Sequence, residues 1–167
     1  MGRTELAMGS LKFGSFPRSG SHFFLHLTDC EWLVHRIEPL GVEQSVVVSI
    51  RNPFECIPSW IVFTNDKRSN RAEKVLEWYC AYYSKCAVSD IVIVPFEQLI
   101  TEPRHCVDYI ANYYGLDIKM NDYNLSDGIH CPSESKDEFE FIIEEMKVAS
   151  NIHPAMELFE KLCTRIG

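Results

Sequence analysis

The sequence lacks the apolar runs that membrane insertion and secretion require. No stretch approaches the roughly 20 consecutive apolar residues needed to cross a bilayer, and no basic-then-apolar leader opens the sequence. The seven cysteines are an odd number without a C-x-x-C pair, which argues against a zinc site and favours buried, reduced thiols. We therefore expect a cytoplasmic protein with no membrane span and no bound metal.

An excess of basic residues is also absent. Lysine and arginine number 16 against 24 aspartates and glutamates, which gives a formal net charge of −8. Such a surface repels polyanions and argues against DNA, RNA or a highly sulfated polysaccharide as the partner. With 167 residues and 46% hydrophobic content, residues 1–167 are expected to form one domain with a substantial core.

The lysine of the ordinary phosphate-binding P-loop, G-x-x-x-x-G-K-[ST], is missing as well. Residues 13–23 nevertheless read FGSFPRSGSHF. A short strand that turns through proline, serine and glycine into an apolar helix leaves backbone N–H groups at the positive end of a helix dipole, which makes an anion site. Arg18 adds a forked cation there. The alternative interpretation is a plain strand-to-helix turn.

A second segment of the same kind begins at a buried strand. The β-branched run SVVVSI at 45–50 leads into RNPFECIPSW at 51–60. Pro53 suits the first turn of a helix, which would carry Ser59 about two turns along and back towards Arg51. Taken singly, an arginine at a strand end is usually a surface charge, and a serine in mid-helix is usually solvated.

The two segments together resemble the donor-binding motifs of sulfotransferases that use 3′-phosphoadenosine-5′-phosphosulfate (PAPS). Residues 15–23 are similar to the family's 5′-phosphosulfate loop, Y-P-K-S-G-T-T-W, with arginine in place of its lysine. The family's R-[DN]-P-x-[DE]-x-x-x-S motif binds the 3′-phosphate, and Arg51 and Ser59 keep its eight-residue spacing. The resemblance implies PAPS as co-substrate and no metal. The donor-binding residues that it implies are Arg18, Ser19, Gly20, Ser21, His22, Phe23, Arg51 and Ser59.

A third segment extends the resemblance over roughly residues 11–116. The run DIVIV at 90–94 is a buried-strand candidate, and PFEQLITEP at 95–103 is similar to the family's Y-E-D-L region. In that region the acidic residue helps to hold the core strands against the phosphate loops. The resemblance therefore implies that Glu97 has a structural role or supports the residues that bind the ligand.

The resemblance also implies catalytic residues. Arg18 would neutralise the leaving phosphate, and His35 stands in the place of the histidine in a K-T-H-like motif, which removes the acceptor's proton. An imidazole with an ordinary pKa near 6.5 suits that task at neutral pH. The lysine and threonine of the motif are absent here, and His26 and Glu31 remain rival bases.

Two features of the family are missing. The R-K-G loop that closes over the 3′-phosphate is not recognisable, and Lys136, His130 and Ser133 are the candidates for its duty. The interval between Arg18 and Arg51 is far shorter than in the human-type cytosolic enzymes. We therefore expect an acceptor pocket that is reduced or built from the C-terminal part of the chain.

The order of the predicted elements defines a fold class. Strands are predicted near 11–16, 32–35, 45–50 and 91–95, and helices near 20–29, 54–64, 71–84, 102–114, 136–148 and 154–164. This alternation predicts an α/β fold, a three-layer P-loop NTPase-like arrangement with a mainly parallel central sheet flanked by helices. Ligands then bind at the carboxyl ends of the strands, where both phosphate motifs lie.

The sequence thus predicts a sulfotransferase that moves a sulfuryl group from PAPS to a hydroxyl or amine. A small-molecule or peptide acceptor fits the acidic surface better than a glycosaminoglycan. Two alternatives stay open. One is a non-catalytic module that binds PAPS or its desulfated product, and the other is a P-loop nucleotide kinase, which would need a lysine after Gly20.

Overall fold

The computed structural model describes residues 11–19, 27–28, 45–121 and 136–164. In chain order, the elements in these ranges are β1 (Leu11–Ser15), β2 (Ser45–Ile50), α1 (Pro53–Thr64), α2 (Arg71–Ala87), β3 (Val92–Pro95), α3 (Phe96–Thr101), α4 (Pro103–Tyr114), α5 (Lys136–Val148) and α6 (Ile152–Cys163). The predicted strand near 32–35 and most of the predicted helix near 20–29 lie outside the described residues.

The three strands form a parallel sheet in the order β1–β2–β3. Leu11 pairs with Ser45 at the start of the β1–β2 ladder, and Ile50 pairs with Pro95 at the end of the β2–β3 ladder. Valine and isoleucine dominate β2 and β3, as is typical of strands that are buried on both faces. Because the strands are parallel, their carboxyl ends meet at one edge of the sheet.

Helices cover both faces of this sheet. Successive residues of a strand point to opposite faces, and Val48 and Ile50 lie in a core cluster with residues of α1, α2, α5 and α6. Val47 lies in a second cluster, which includes Phe13 and residues of α3 and α4. The prediction of an α/β fold with a parallel sheet flanked by helices is confirmed.

Helix α1 begins with the signals that its sequence carries. The Phe54 N–H donates a hydrogen bond to the Asn52 side chain at 2.9 Å, and Pro53 is the first residue of the helix. The helix ends at Asn65, whose φ of 51° lies in the left-handed region that closes many helices. Pro58 lies inside α1 and offers no N–H to the preceding turn, yet the helix continues past it.

One short helix was not predicted. The helix predicted near 102–114 begins at Pro103, and a separate short helix, α3, precedes it. Glu102 divides the two with φ −133° and ψ 55°, because a proline disfavours the helical conformation in the residue before it. Gly115 ends α4 as predicted, with φ 67°.

A buried arginine joins helix α5 to helix α2. Arg71, the first residue of α2, donates hydrogen bonds to Glu145 at 3.1 Å and to Glu138 at 3.3 Å, both on α5. Helix α6 begins at Ile152, slightly before its predicted start, and has Pro154 in its first turn. None of the helices in the described ranges combines the length and apolarity that a membrane span needs.

Candidate anion-binding site

Two arginines lie where neighbouring strands end. Strand β1 ends at Ser15, from which the chain turns to Arg18, and β2 ends at Ile50, directly before Arg51. Because β1 and β2 are adjacent and parallel, these two ends lie side by side. Arg51 Nη1 donates a hydrogen bond to the backbone carbonyl of Arg18 at 3.1 Å, which joins the two loops.

The turn after β1 is anchored by a buried ring. Phe16 is fully buried, and its ring centroid lies 4.8 Å from that of Trp78 and 5.2 Å from that of Tyr79. The Ser19 N–H donates to the Phe16 carbonyl at 3.2 Å and closes the turn. Arg18 has a φ of 64°, a left-handed conformation that costs a residue with a Cβ atom roughly 1–2 kcal/mol. The turn therefore holds a charged side chain where glycine is the usual residue.

The side chain of Arg18 reaches helix α1. Its Nε donates to Ser59 Oγ at 3.0 Å, and its guanidinium carbon lies 5.1 Å from the centre of the Phe63 ring. Phe63 is 66% exposed and stacks with Trp60 at a centroid distance of 5.9 Å. Because Ser59 and Phe63 are one helical turn apart, a single face of α1 supplies both contacts. The two segments that the sequence predicts to bind phosphate thus meet directly.

Arg51 is held on three sides. Its Nε pairs with Glu55 Oε2 at 3.0 Å, its Nη1 donates to the Arg18 carbonyl, and its guanidinium carbon lies 4.4 Å from the centre of the Phe96 ring. Only 19% of the Arg51 side chain is exposed. Within the described ranges these bonds use two of the five N–H groups of the guanidinium. The other three can serve an anion.

Buried phenols hold the backbone below the arginine. Tyr79 Oη donates to the Arg51 carbonyl at 2.9 Å, and Tyr83 Oη donates to the Ser49 carbonyl at 2.8 Å. The Cys56 thiol lies 3.8 Å from the same Arg51 carbonyl, and burial raises its pKa to about 12. Burial also raises the pKa of both tyrosines far above the ordinary value of 10. Helix α2 therefore fixes the end of β2 with hydroxyl donors that stay neutral at physiological pH.

Three serines bring buried hydroxyls to this edge of the sheet. Ser15 and Ser49 are paired in the β1–β2 register, and neither hydroxyl has a hydrogen-bond partner among the described residues. The Ser19 hydroxyl lies close to the Cys56 thiol and the Tyr83 hydroxyl, without hydrogen-bond geometry to either. Burying hydroxyls in this way costs free energy, which a bound water or ligand atom would offset.

The described part of the predicted site lies in one place. Arg18, Ser19, Arg51 and Ser59 all lie at the carboxyl edge of the sheet, and hydrogen bonds link Arg18 to both Arg51 and Ser59. The residues outside the described ranges are Gly20, Ser21, His22, Phe23, the predicted base His35 and its rivals His26 and Glu31. Of the candidates to replace the closing loop, Lys136 is the first residue of α5, and His130 and Ser133 lie outside the described ranges.

Glu97 lies on the exposed side of the first turn of α3. Its carboxylate is close enough to Cys163, the last residue of α6, to add to the effect of burial in raising the pKa of that thiol. Glu97 is therefore near the junction of α3 and α6. Its predicted role in holding the strands against the phosphate loops stays a prediction.

Sequence reasoning missed the residues that contact the arginines. Phe63 and Phe96 each lie against one guanidinium, and Glu55 pairs with Arg51. A signal for each exists in the sequence. Glu55 and Phe63 are four positions after Arg51 and Ser59, which is the spacing of contacts along a helix. Phe96 directly follows β3, the third strand to reach this edge.

The site is a local cationic region on an acidic protein. The chain carries a net charge of −8, yet two arginines lie on neighbouring loops here, and among the described residues only Glu55 pairs with either of them. Such a local excess of positive charge attracts anions over a short range in spite of the overall charge. In the described ranges, histidine, cysteine, aspartate and glutamate form no group of three or more suited to a metal ion.

One solved structure of related shape is mouse sulfotransferase SULT7A1 complexed with PAP. It matches with a TM-score of 0.48 and 13% sequence identity, over 96% of this chain and 75% of that chain. No protein-family model matches the chain, and no curated protein matches it. A likeness this distant does not define a function, so the function has to be inferred from the residues of the site.

Proposed function

We propose that this chain binds PAPS and transfers its sulfuryl group to a hydroxyl or amine of an acceptor. The observation that carries the proposal is the hydrogen-bonded group of Arg18, Arg51 and Ser59 at the carboxyl ends of β1 and β2. Two arginines on neighbouring loops suit a ligand with two phosphates, because each guanidinium can bind phosphate oxygens in forked pairs.

The two arginines have different roles in this proposal. Arg51 and Ser59 bind the 3′-phosphate, and Arg18 binds the 5′-phosphosulfate together with the backbone N–H groups of residues 19–23. Arg18 donates its Nε hydrogen to Ser59, so its Nη1 and Nη2 groups serve the 5′ side. Its bond to Ser59 then connects the two phosphate sites and sets the separation between them.

The transfer forms a bond from the acceptor oxygen or nitrogen to sulfur and breaks the bond from sulfur to the bridging phosphate oxygen. The products are the sulfated acceptor and adenosine 3′,5′-bisphosphate. Arg18 stabilises the negative charge that develops on the bridging oxygen. His35 accepts the acceptor's proton, with His26 and Glu31 as the other candidates. As in phosphoryl transfer, catalysis rests on positioning and on charge stabilisation.

The proposal takes residues 1–167 as one domain that acts in the cytoplasm. Its acceptor is a small molecule or a peptide, because a net charge of −8 opposes the approach of a polyanionic acceptor. A basic peptide would be attracted by the same surface.

Binding of adenosine 3′,5′-bisphosphate, measured by isothermal titration calorimetry, tests the proposal. AMP and ATP with Mg²⁺ are the comparison ligands. Arg51→Ala is expected to weaken bisphosphate binding by about 10–100-fold, because a charge-assisted hydrogen bond contributes roughly 1.5–3 kcal/mol. Binding of AMP, which has no 3′-phosphate, should change much less. Lys85→Ala is the control variant. It removes an exposed cation from the last turn of α2, at the opposite edge of the sheet.

Three results would contradict all or part of the proposal. Tighter binding of ATP with Mg²⁺ than of the bisphosphate would favour a nucleotide kinase. Bisphosphate binding that Arg51→Ala leaves unchanged would remove the assigned 3′-phosphate site. Bisphosphate binding without transfer from PAPS to any acceptor in a broad panel would favour a non-catalytic binding module. For an enzyme that uses His35 as base, His35→Ala abolishes transfer and leaves bisphosphate binding intact.

A further inference from the structure

The register of the sheet places an aromatic ring beside the phosphate-binding arginine. Ile50 and Pro95 are the last paired residues of β2 and β3, and the residues that directly follow these strands are Arg51 and Phe96. Their proximity therefore follows from the sheet itself. The Phe96 ring is half-buried, and its centre lies 4.4 Å from the guanidinium carbon of Arg51. This is well inside the roughly 6 Å over which the face of an aromatic ring attracts a cation.

The polar contacts of Arg51 and its contact with the Phe96 ring involve different parts of the guanidinium. Glu55 takes the Nε hydrogen and the Arg18 carbonyl takes a hydrogen from Nη1, so both contacts act at the edge of the guanidinium plane. Neither contact covers a face of that plane. Phe96 covers one face, where water would otherwise compete for the cation. An arginine that is already ordered loses less conformational entropy when a ligand binds.

We propose that Phe96 is a positioning residue for Arg51, which holds the guanidinium in the orientation that binds phosphate before the ligand arrives. This inference rests on the proposed function, because it takes Arg51 to be a phosphate ligand. Phe96 itself acts through the arginine. It begins helix α3 immediately after Pro95, so both the strand and the helix restrict its backbone.

The test compares the affinity for adenosine 3′,5′-bisphosphate of the unaltered protein, Phe96→Leu and Phe96→Tyr. Leucine fills similar space without the ring quadrupole, and we expect it to weaken binding by about 3–10-fold, the range that a partly desolvated cation–π contact supports. Tyrosine keeps the ring and should retain affinity within about twofold. Circular dichroism and thermal unfolding verify that each variant is folded.

A second measurement separates positioning from a general loss of structure. Phe96→Leu made in an Arg51→Ala background should weaken binding no further, because a positioning residue acts only through its arginine. The ¹H resonance of Arg51 Nε–H in the ligand-free protein gives an independent reading of the stacking. Ring current from Phe96 shifts this resonance, and Phe96→Leu should move it while Phe96→Tyr does not.

The outcomes distinguish the two proposals. If the unaltered protein fails to bind the bisphosphate, the proposed function is overturned, and the role of Phe96 with it. If the unaltered protein binds and Phe96→Leu binds equally well, only the role of Phe96 is overturned. The same holds if Phe96→Leu weakens binding equally with and without Arg51, since the ring then acts on the ligand or on the fold as a whole.

Discussion

The hydroxyl of Tyr79 tests whether buried phenols hold the site in place. Tyr79→Phe removes one oxygen and keeps the ring, which lies in the core beside Phe16. The Arg51 carbonyl then loses its 2.9 Å donor, and among the described residues it keeps the Cys56 thiol at 3.8 Å, a weak donor at a long distance. An intramolecular hydrogen bond is worth about 0.5–1.5 kcal/mol, and a buried carbonyl left without a partner costs about 1–3 kcal/mol.

We expect Tyr79→Phe to lower the free energy of unfolding by about 1–2 kcal/mol, towards the lower end of that range because the thiol remains. For a chain of this size the Tm should fall by roughly 2–8 °C. Urea unfolding followed by tryptophan fluorescence measures the change, with an unaltered slope as evidence that only stability has changed. Tyr113→Phe is the control. Its hydroxyl donates to Asp90 at 2.8 Å on the surface, so the loss should be within about 0.5 kcal/mol.

The pH dependence of the free energy of unfolding of Tyr79→Phe gives a second test. Burial raises the pKa of Tyr79, so the folded state favours the protonated phenol, and its contribution to stability is fully present below about pH 10. That contribution is lost as pH rises and the unfolded tyrosine ionises. Tyr79→Phe should therefore make the alkaline loss of stability shallower. The reasoning is refuted if Tyr79→Phe unfolds at the same urea concentration as the unaltered protein, or if Tyr113→Phe costs as much.

Further predictions concern other parts of the described structure. Ser49→Ala should raise the free energy of unfolding by about 1 kcal/mol, because its buried hydroxyl has no partner among the described residues; a loss of stability would reveal a bound water or ligand atom. Hydrogen bonds from Arg68 hold the pKa of Asp66 below its ordinary value of 3.8. The resulting stabilisation is present above about pH 4 and lost as pH falls through the lowered pKa, so Asp66→Asn should flatten the acid limb of a pH–stability curve. Iodoacetamide at pH 8, followed by mass spectrometry, should leave Cys56 unlabelled in the folded protein, because burial raises its pKa to about 12 and blocks access; labelling before unfolding would contradict that.

The layers of the fold were predictable because each rests on a local pattern. Continuous β-branched runs predict β2 and β3 as buried parallel strands, and the start of α1 at Pro53 follows from the proline and from the Asn52 cap. Helix α3 was missed because its six residues, FEQLIT, follow a strand directly and are too few to show a helical period. Helix α4 begins at Pro103, within one residue of its predicted start, because a proline suits the first turn of a helix.

The candidate site was predictable in its residues and only partly in its contacts. The spacing of Arg51 and Ser59 was expected to bring these two together, whereas Ser59 accepts its hydrogen bond from Arg18. That bond depends on the left-handed backbone of Arg18 and on the rotation of α1 about its axis. No residue in the sequence indicates either feature. The stacking of Phe96 on Arg51 depends on the register between β2 and β3, which only the paired structure defines.

Because the backbone of Arg18 is left-handed, selection for stability and selection for ligand binding favour different residues at this position. Glycine would relieve roughly 1–2 kcal/mol of backbone strain at this position, but it would remove the guanidinium that contacts Ser59 and Phe63. A library randomised at position 18 and sorted for thermal resistance alone should therefore enrich glycine and asparagine. The same library sorted for capture by immobilised adenosine 3′,5′-bisphosphate should return arginine or lysine. Selection for thermal stability alone would therefore replace Arg18 and weaken the proposed binding of the bisphosphate.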